Sequence, residues 1–298
     1  MGITKSDCTV LFYSKKLGVS FEETLMLGRL QLFATKAEIA GNIQKYKTNV
    51  KEIKDVHFTD EYAEPLFEIL GAKKVDSMDF SAYEHASILH DLNYPIDETL
   101  KNRFTAIVDG GTIEHVFNFP VAIKNCMNAL KIGGHYIGIT PANNTMGHGF
   151  YQFSPELYYR IFSPENGFEM KRMLISIEAA SGTQWYEVAD PKLVKSRVML
   201  VNHFPISLIL IAEKVAEKNV FEIIPQQSDY ATIWNAAESV AEKKVPRNTS
   251  ELRLLFKKLL PARIRTILRN AYEVFFVTKV TDEYLGDFDS NYFIKTEL

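Results

Sequence analysis

The sequence predicts an α/β fold on three observations. Residues 104–141 read as a strand, a loop, a helix and a second strand. Short apolar runs at 73–78, 86–90, 170–177 and 205–212 are separated by helix-like or loop stretches, which is how a layered α/β sheet is written along a chain. The chain has 298 residues with 46% hydrophobic content, enough to bury the core of one large domain with extensions.

The first of these carries most of the argument. Residues 104–108 are apolar and partly β-branched, and they end at Asp109-Gly110-Gly111, where a buried parallel strand would hand over to a loop. Phe117, Val121, Met127 and Leu130, with Ala122 and Ile123 beside them, suit a helix over 117–131 with one face on the sheet. Gly133-Gly134 then reads as the helix stop, and 136–140 as the returning strand that leads to Pro141. In such a unit the functional edge is at the carboxyl ends of the strands.

This stretch resembles a known family. The acidic strand end Asp109-Gly110, the pair Glu114-His115, the segment Leu130-Lys131-Ile132-Gly133-Gly134 and Pro141 are similar to the second half of class I S-adenosylmethionine-dependent methyltransferases. The likeness extends more weakly over 55–215. The segment 147–156, Gly-His-Gly-Phe-Tyr-Gln-Phe-Ser-Pro-Glu, further resembles methyltransferase-like proteins encoded among bacterial surface-polysaccharide genes. The resemblance implies a Rossmann-like, seven-stranded mixed sheet with the last strand, 205–212, inserted antiparallel. It divides the chain into a helical N-terminal extension (1–50), the methyltransferase-like domain (51–215) and a mainly helical C-terminal extension (216–298).

Taken in order, Ser20 followed by Glu23 has the form of a helix-capping pair, and the apolar residues behind it predict one or two helices over 21–46. The first strand is then expected at 52–58. Where the family has glycines that let a cofactor approach the backbone, the chain reads His57-Phe58-Thr59-Asp60-Glu61-Tyr62, so Phe58 and Thr59 stand in the cofactor-loop position without a glycine. The second strand ends at Asp79. An acidic residue there suits a ribose hydroxyl pair, with Ser81 assisting, and equally suits a cap for a following helix. The third strand ends at Asp91-Leu92; the resemblance implies an adenine contact, and a turn before Tyr94-Pro95 is the alternative.

Asp109 and Gly110 would close the cofactor side. Glu114 and His115 follow; His115 is a candidate general base and Glu114 its neighbour, while a cap and a loop-ordering histidine remain the plainer alternative. His148, between two glycines and ahead of Tyr151 and Gln152, is a second candidate base or a polyol contact. Ser154-Pro155-Glu156 marks a helix start. Residues 252–268 are basic and amphipathic around Pro261, suited to packing on the domain or to a membrane surface or partner.

Several classes are disfavoured. The net charge of −3 implies no broad attraction to nucleic acid, and no run approaches the ~18 apolar residues of a membrane span. Cys8 and Cys126 match no metal or redox spacing and read as reduced structural thiols, which fits a cytoplasmic protein. No cluster in the linear sequence requires a metal. A nicotinamide enzyme would need a glycine-rich loop after a predicted strand. The resemblance implies a methyltransferase using S-adenosylmethionine on a small molecule, a sugar or sugar nucleotide, in a chain that could dimerise. A methyltransferase-fold binding or scaffold protein without catalysis is the alternative that the missing glycines favour.

Overall fold

In the computed structural model, which describes residues 2–58, 60–179, 182–194, 197–230 and 290–298, the elements follow one another as β1 (Gly2–Ile3), α1 (Lys5–Lys16), β2 (Glu23–Leu27), β3 (Gln31–Leu32), α2 (Lys36–Tyr46), α3 (Glu64–Ile69), β4 (Lys74–Asp79), β5 (Ile88–Leu89), β6 (Phe104–Asp109), α4 (Phe119–Ala129), β7 (Leu130–Asn143), α5 (Pro155–Ile161), β8 (Phe168–Ala179), β9 (Gly182–Val188), α6 (Pro191–Val194), β10 (Ile206–Lys214) and β11 (Phe293–Thr296). The main sheet is ordered β11-β9-β8-β10-β7-β6-β2-β4-β5. From β7 to β5 all neighbours are parallel; β10 enters antiparallel between β7 and β8, and β9 and β11 extend that edge antiparallel. Strands β1 and β3 form a separate parallel pair.

Side chains alternate across a strand, and here both faces are covered. Leu25, Leu27, Ile107, Tyr136, Leu208 and Leu210 join one core with residues of α4 and α5. Met26, Ala106, Val108, Ile137, Ile209 and Ile211 join the other with residues of α1, α2 and α3. The result is a three-layer arrangement, helices on either side of a mixed sheet. The chain runs outward from β2 through β4 to β5, then crosses back to β6 on the other side of β2. That reversal makes the β2/β6 boundary a topological switch point, and ligands in open α/β sheets bind outside the carboxyl ends of strands at such a point.

The α/β class and the antiparallel insertion of the strand expected at 205–212 agree with the sequence reading. Several expectations are corrected. The sheet has nine strands, not seven. Its first strand is β2, not 52–58, where Ile53–Asp55 instead forms a 3-10 turn. Thus 1–50 is no helical extension outside the sheet: β2 lies between β4 and β6. Ser20 caps no helix; its hydroxyl accepts the Glu22 N–H at 3.4 Å, and Thr24 to Leu27 are buried in a strand. A five-residue run buried on both faces has no period that distinguishes strand from helix. The capping box of this stretch is Thr35 with Glu38, at the start of α2.

At the other end, β11 pairs with β9, so the region 216–298 returns to the sheet. The Leu130–Gly134 segment is the start of β7 rather than a helix terminus, with Gly133 at φ +81°. Gly134 lies so near β6 that a Cβ there would sit 3.0 Å from the Phe104 carbonyl. The amphipathic segment 252–268 lies outside the described residues. No helix among those described is long and apolar enough to cross a membrane. Cys8 and Cys126 are both buried and free.

Candidate functional site

The parallel strands deliver their last residues to one rim. At the end of β2 the chain turns at Gly28, which has φ +71° and donates its N–H to the Met78 carbonyl of β4 at 2.7 Å. At the end of β6, Asp109 is fully buried. Its Oδ1 accepts the Thr112 and Ile113 N–H groups at 2.9 and 3.3 Å, and its Oδ2 accepts the Tyr136 hydroxyl at 2.7 Å. Burial raises the Asp109 pKa against the pull of these donors. The Thr112 hydroxyl donates to the Leu27 carbonyl at 2.6 Å, fastening the loop to the end of β2. This loop ends in the 3-10 turn Ile113–His115, which presents Glu114 and His115.

The loop after β7 closes over that turn. Phe150 and Tyr151 donate their N–H groups to the Glu114 carbonyl at 2.8 and 3.3 Å. Gly149, at φ +70°, packs so closely that a Cβ would stand 2.8 Å from that carbonyl oxygen. Gln152 closes the loop by accepting the Thr145 N–H and hydroxyl, and the Tyr151 hydroxyl donates to the Phe117 carbonyl. The Tyr151 and Gln152 side chains, which follow the candidate polyol contact His148, thus serve the loop itself. His148 is carried over Glu114, its Nε2 3.2 Å from Oε1, and its ring meets that of His115 edge-on at 4.9 Å between centroids.

Glu114 is the unusual member. Its side chain is 1% exposed, against 55% for His148, and Oε2 has no hydrogen-bond partner among the described residues. Burial, reinforced by the nearby Asp109 carboxyl, pushes its pKa up to about 8. Burial and the adjacent His148 lower that of His115. Donor atoms of Glu114, His115 and His148 lie within 4.8 Å of one another, a set able to hold a metal ion. The linear sequence hides it because Glu114 and His148 are 34 positions apart.

Beside this cluster, on the β4/β5 side, is a cleft of about 480 Å3 whose walls include Asp79, Asp91, Leu92, His115 and Thr112. Four sequence-nominated residues are thus brought together from three strand ends. Asp79 uses Oδ1 to accept the Ser81 N–H at 3.0 Å, and Asp91 uses Oδ1 to accept the Asn93 backbone and side-chain N–H groups. Their turn roles are real and leave each carboxylate a second oxygen. Ser81 is exposed just outside the cleft wall.

The remaining nominees stand elsewhere. Asp109 faces the loop it staples, and Gly110 packs against Leu30, whose methyl carbons would be 3.1 and 3.2 Å from a Cβ. Phe58 packs against the α1–α3 core with the Lys36 ammonium 4.6 Å above its ring, so it is not in the loop that follows the first strand. Thr59 lies outside the described residues. The position assigned to both is filled by Gly28-Arg29-Leu30. Arg29 there is held by Glu64 at 2.7 Å and Asp60 at 3.0 Å and stacks on Tyr62.

Three contributors were not foreseen. Gly28 was signalled only by a glycine directly behind an apolar run, and Thr112 by nothing local. Asn125 on α4 fixes the cleft loop: its Oδ1 accepts the Ile96 N–H at 3.0 Å, and its Nδ2 donates to the Tyr94 carbonyl at 2.8 Å. A polar residue on the buried side of an apolar helix was the available sign.

No protein-family profile matches the sequence, and no curated protein does. Solved structures of related shape include a candidate methyltransferase from Bacillus halodurans, with 12% identity over 71% of this chain and 100% of that one, at a TM-score of 0.36. Another is the C9 mutein of the branched-chain polyamine synthase from Thermus thermophilus, in complex with N4-aminopropylspermidine and 5′-methylthioadenosine (13% identity, 76% of this chain, 60% of that one, TM-score 0.37). A third is the trans-methyltransferase CalH in complex with SAH (9% identity, 70% of this chain, 55% of that one, TM-score 0.34).

Proposed function

We propose that the chain is an S-adenosylmethionine-dependent methyltransferase acting on a hydroxyl of a small polar acceptor, a sugar or sugar nucleotide of a surface-polysaccharide pathway. The observation that carries this reading is the cleft at the carboxyl ends of the parallel strands, where Asp79, Asp91, Leu92 and His115 share one space of about 480 Å3. That volume falls within the range of small-molecule sites. The lining also fits the group: a carboxylate oxygen of Asp79 to accept ribose hydroxyls, one of Asp91 to accept an adenine amino group, and the apolar Leu92 beside it. When bound, the cofactor supplies an electrophilic methyl group.

The chain's own work is then positioning and proton removal. Asp79 and Asp91 orient, and the loop 145–152 closes over the Glu114–His115 turn beside the cleft. His115, on the cleft wall, and His148 behind it are the groups placed to take the acceptor's proton, with Glu114 holding His148 through its 3.2 Å contact. The exposed, edge-to-face pair Phe117 and Phe150 next to these histidines suits the apolar face of a sugar ring.

A second reading, a binding or scaffold protein of the same fold without catalysis, is favoured by the loop after β2. It offers one glycine, the Gly28 N–H is already committed to Met78, and Arg29 is committed to two carboxylates. Calorimetric titration with S-adenosylhomocysteine separates the two. Saturable binding that Asp79→Ala weakens at least about tenfold, the loss of roughly 1.4 kcal/mol expected for a hydrogen-bonded charged group, supports the enzyme. Absence of binding to the folded protein overturns it and leaves the second reading.

A further inference from the structure

We propose that Glu114, His115 and His148 form a binding site for one divalent transition-metal ion of the Zn2+ or Mn2+ class, open toward the cleft. Two features point there, and a third holds them in place. The donor atoms lie within 4.8 Å of one another, the only such group of His, Cys, Asp and Glu among the described residues. Glu114 is 1% exposed, yet Oε2 is left without a hydrogen bond. A buried carboxyl oxygen without a partner costs about 1–3 kcal/mol or more, and a coordinated cation would remove this cost. The surroundings are built to keep it there: Gly149 and Gly111, both at positive φ, pack directly on Glu114, where Cβ atoms would stand 2.8 Å from its carbonyl oxygen and 3.2 Å from Oε1.

The donor set decides the class of ion. Two imidazole nitrogens and one carboxylate oxygen suit Zn2+, Mn2+ or Fe2+, whereas Mg2+ and Ca2+ prefer oxygen alone. Around a tetrahedral ion with bonds of about 2.1 Å, donors stand about 3.4 Å apart, so the triad must close by roughly an ångström. Both histidines are exposed and Glu114 is fixed, so rotation of the imidazoles accomplishes this without disturbing the core. His115 also forms part of the cleft wall, so a coordination position not filled by protein faces the space proposed for substrate. There an ion would hold an acceptor oxygen and lower its pKa, replacing the proton removal assigned to His115 and His148, whose lone pairs it would occupy. This last point rests on the methyltransferase reading; the metal site itself does not.

The test uses the full chain, stripped with chelator and titrated with Zn2+ against a chromophoric zinc indicator, then loaded with Co2+ for its visible spectrum. Wild type should bind one Zn2+ per chain. Glu114→Gln and His148→Ala should each weaken binding at least about tenfold and change the Co2+ spectrum, while His85→Ala, a surface histidine remote in sequence from the triad, should do neither. Should Glu114→Gln fail to fold, the exposed His148→Ala decides alone. Binding unaffected in the folded variants, or affected equally by His85→Ala, overturns the site. Because no S-adenosylhomocysteine is present, zinc binding can stand while the methyltransferase reading fails, and the reverse.

Discussion

Tyr136→Phe probes the staple that holds the candidate site in place. The substitution keeps the ring, which stacks on Phe162 at 5.0 Å, and removes only the hydroxyl that donates to Asp109 Oδ2 at 2.7 Å. Both residues are fully buried, so water cannot replace the lost donor. Leaving a buried polar atom without this partner costs about 1–3 kcal/mol, and at roughly 2–4 °C per kcal/mol the melting temperature should fall by about 2–12 °C. The assay is urea and thermal unfolding of four proteins, the wild type, Tyr136→Phe, Asp109→Ala and the double variant. If the hydroxyl acts through Asp109, Tyr136→Phe should cost little in the Asp109→Ala background, a coupling of about 1–3 kcal/mol. Because Asp109 also gathers the N–H groups that lead into Glu114 and His115, Tyr136→Phe should weaken zinc binding as well. Additive losses within about 0.5 kcal/mol, or an unchanged melting temperature, would refute the staple.

Further outcomes follow from other contacts. Asn125→Ala strips the Ile96 N–H and the Tyr94 carbonyl of their partner and should cost about 2–3 kcal/mol in urea unfolding while weakening S-adenosylhomocysteine binding; a cost below about 0.5 kcal/mol would show that Asn125 does not fix the cleft loop. Gly149→Ala puts a side chain into a left-handed conformation, at about 1–2 kcal/mol, and a Cβ against the Glu114 carbonyl. Hydrogen exchange should then speed up at the Phe150 and Tyr151 amides, and unchanged protection there would disprove the clasp. Burial pushes the Cys8 thiol up to about 12 and raises that of Cys126, so at pH 8 the Cys8 thiolate is on the order of 10⁻⁴ of the total. An aromatic disulfide reagent should find neither thiol in the native protein and both after denaturation; rapid native labelling would contradict their burial.

The candidate site shows how far linear order carries. Asp79, Asp91, Leu92 and His115, nominated from the sequence, line one cleft because each stands at or shortly after the end of a parallel strand, and such ends share an edge. Phe58 was misplaced because its argument required 52–58 to be the first strand. The real one, β2, consists of residues buried on both faces, and the Ser20–Glu23 pair in front of it imitates a helix cap. With the first strand displaced, the loop that follows it was displaced too, and Gly28 went unread. Asp109 was recognised as the end of a strand, but not that its side chain turns inward to Tyr136.

What the sequence by itself determined is the alternation of strand and helix and the strand ends near which Asp79, Asp91, Leu92 and His115 stand, because these follow from local periodicity and chain direction. Only the tertiary structure decided which strand occupies the middle of the sheet, that β11 returns to its edge, and that His148 lies on a buried Glu114 beside His115. Those outcomes depend on which apolar faces bury together and on where backbone donors find acceptors far along the chain. Neither is encoded in the spacing of any one segment.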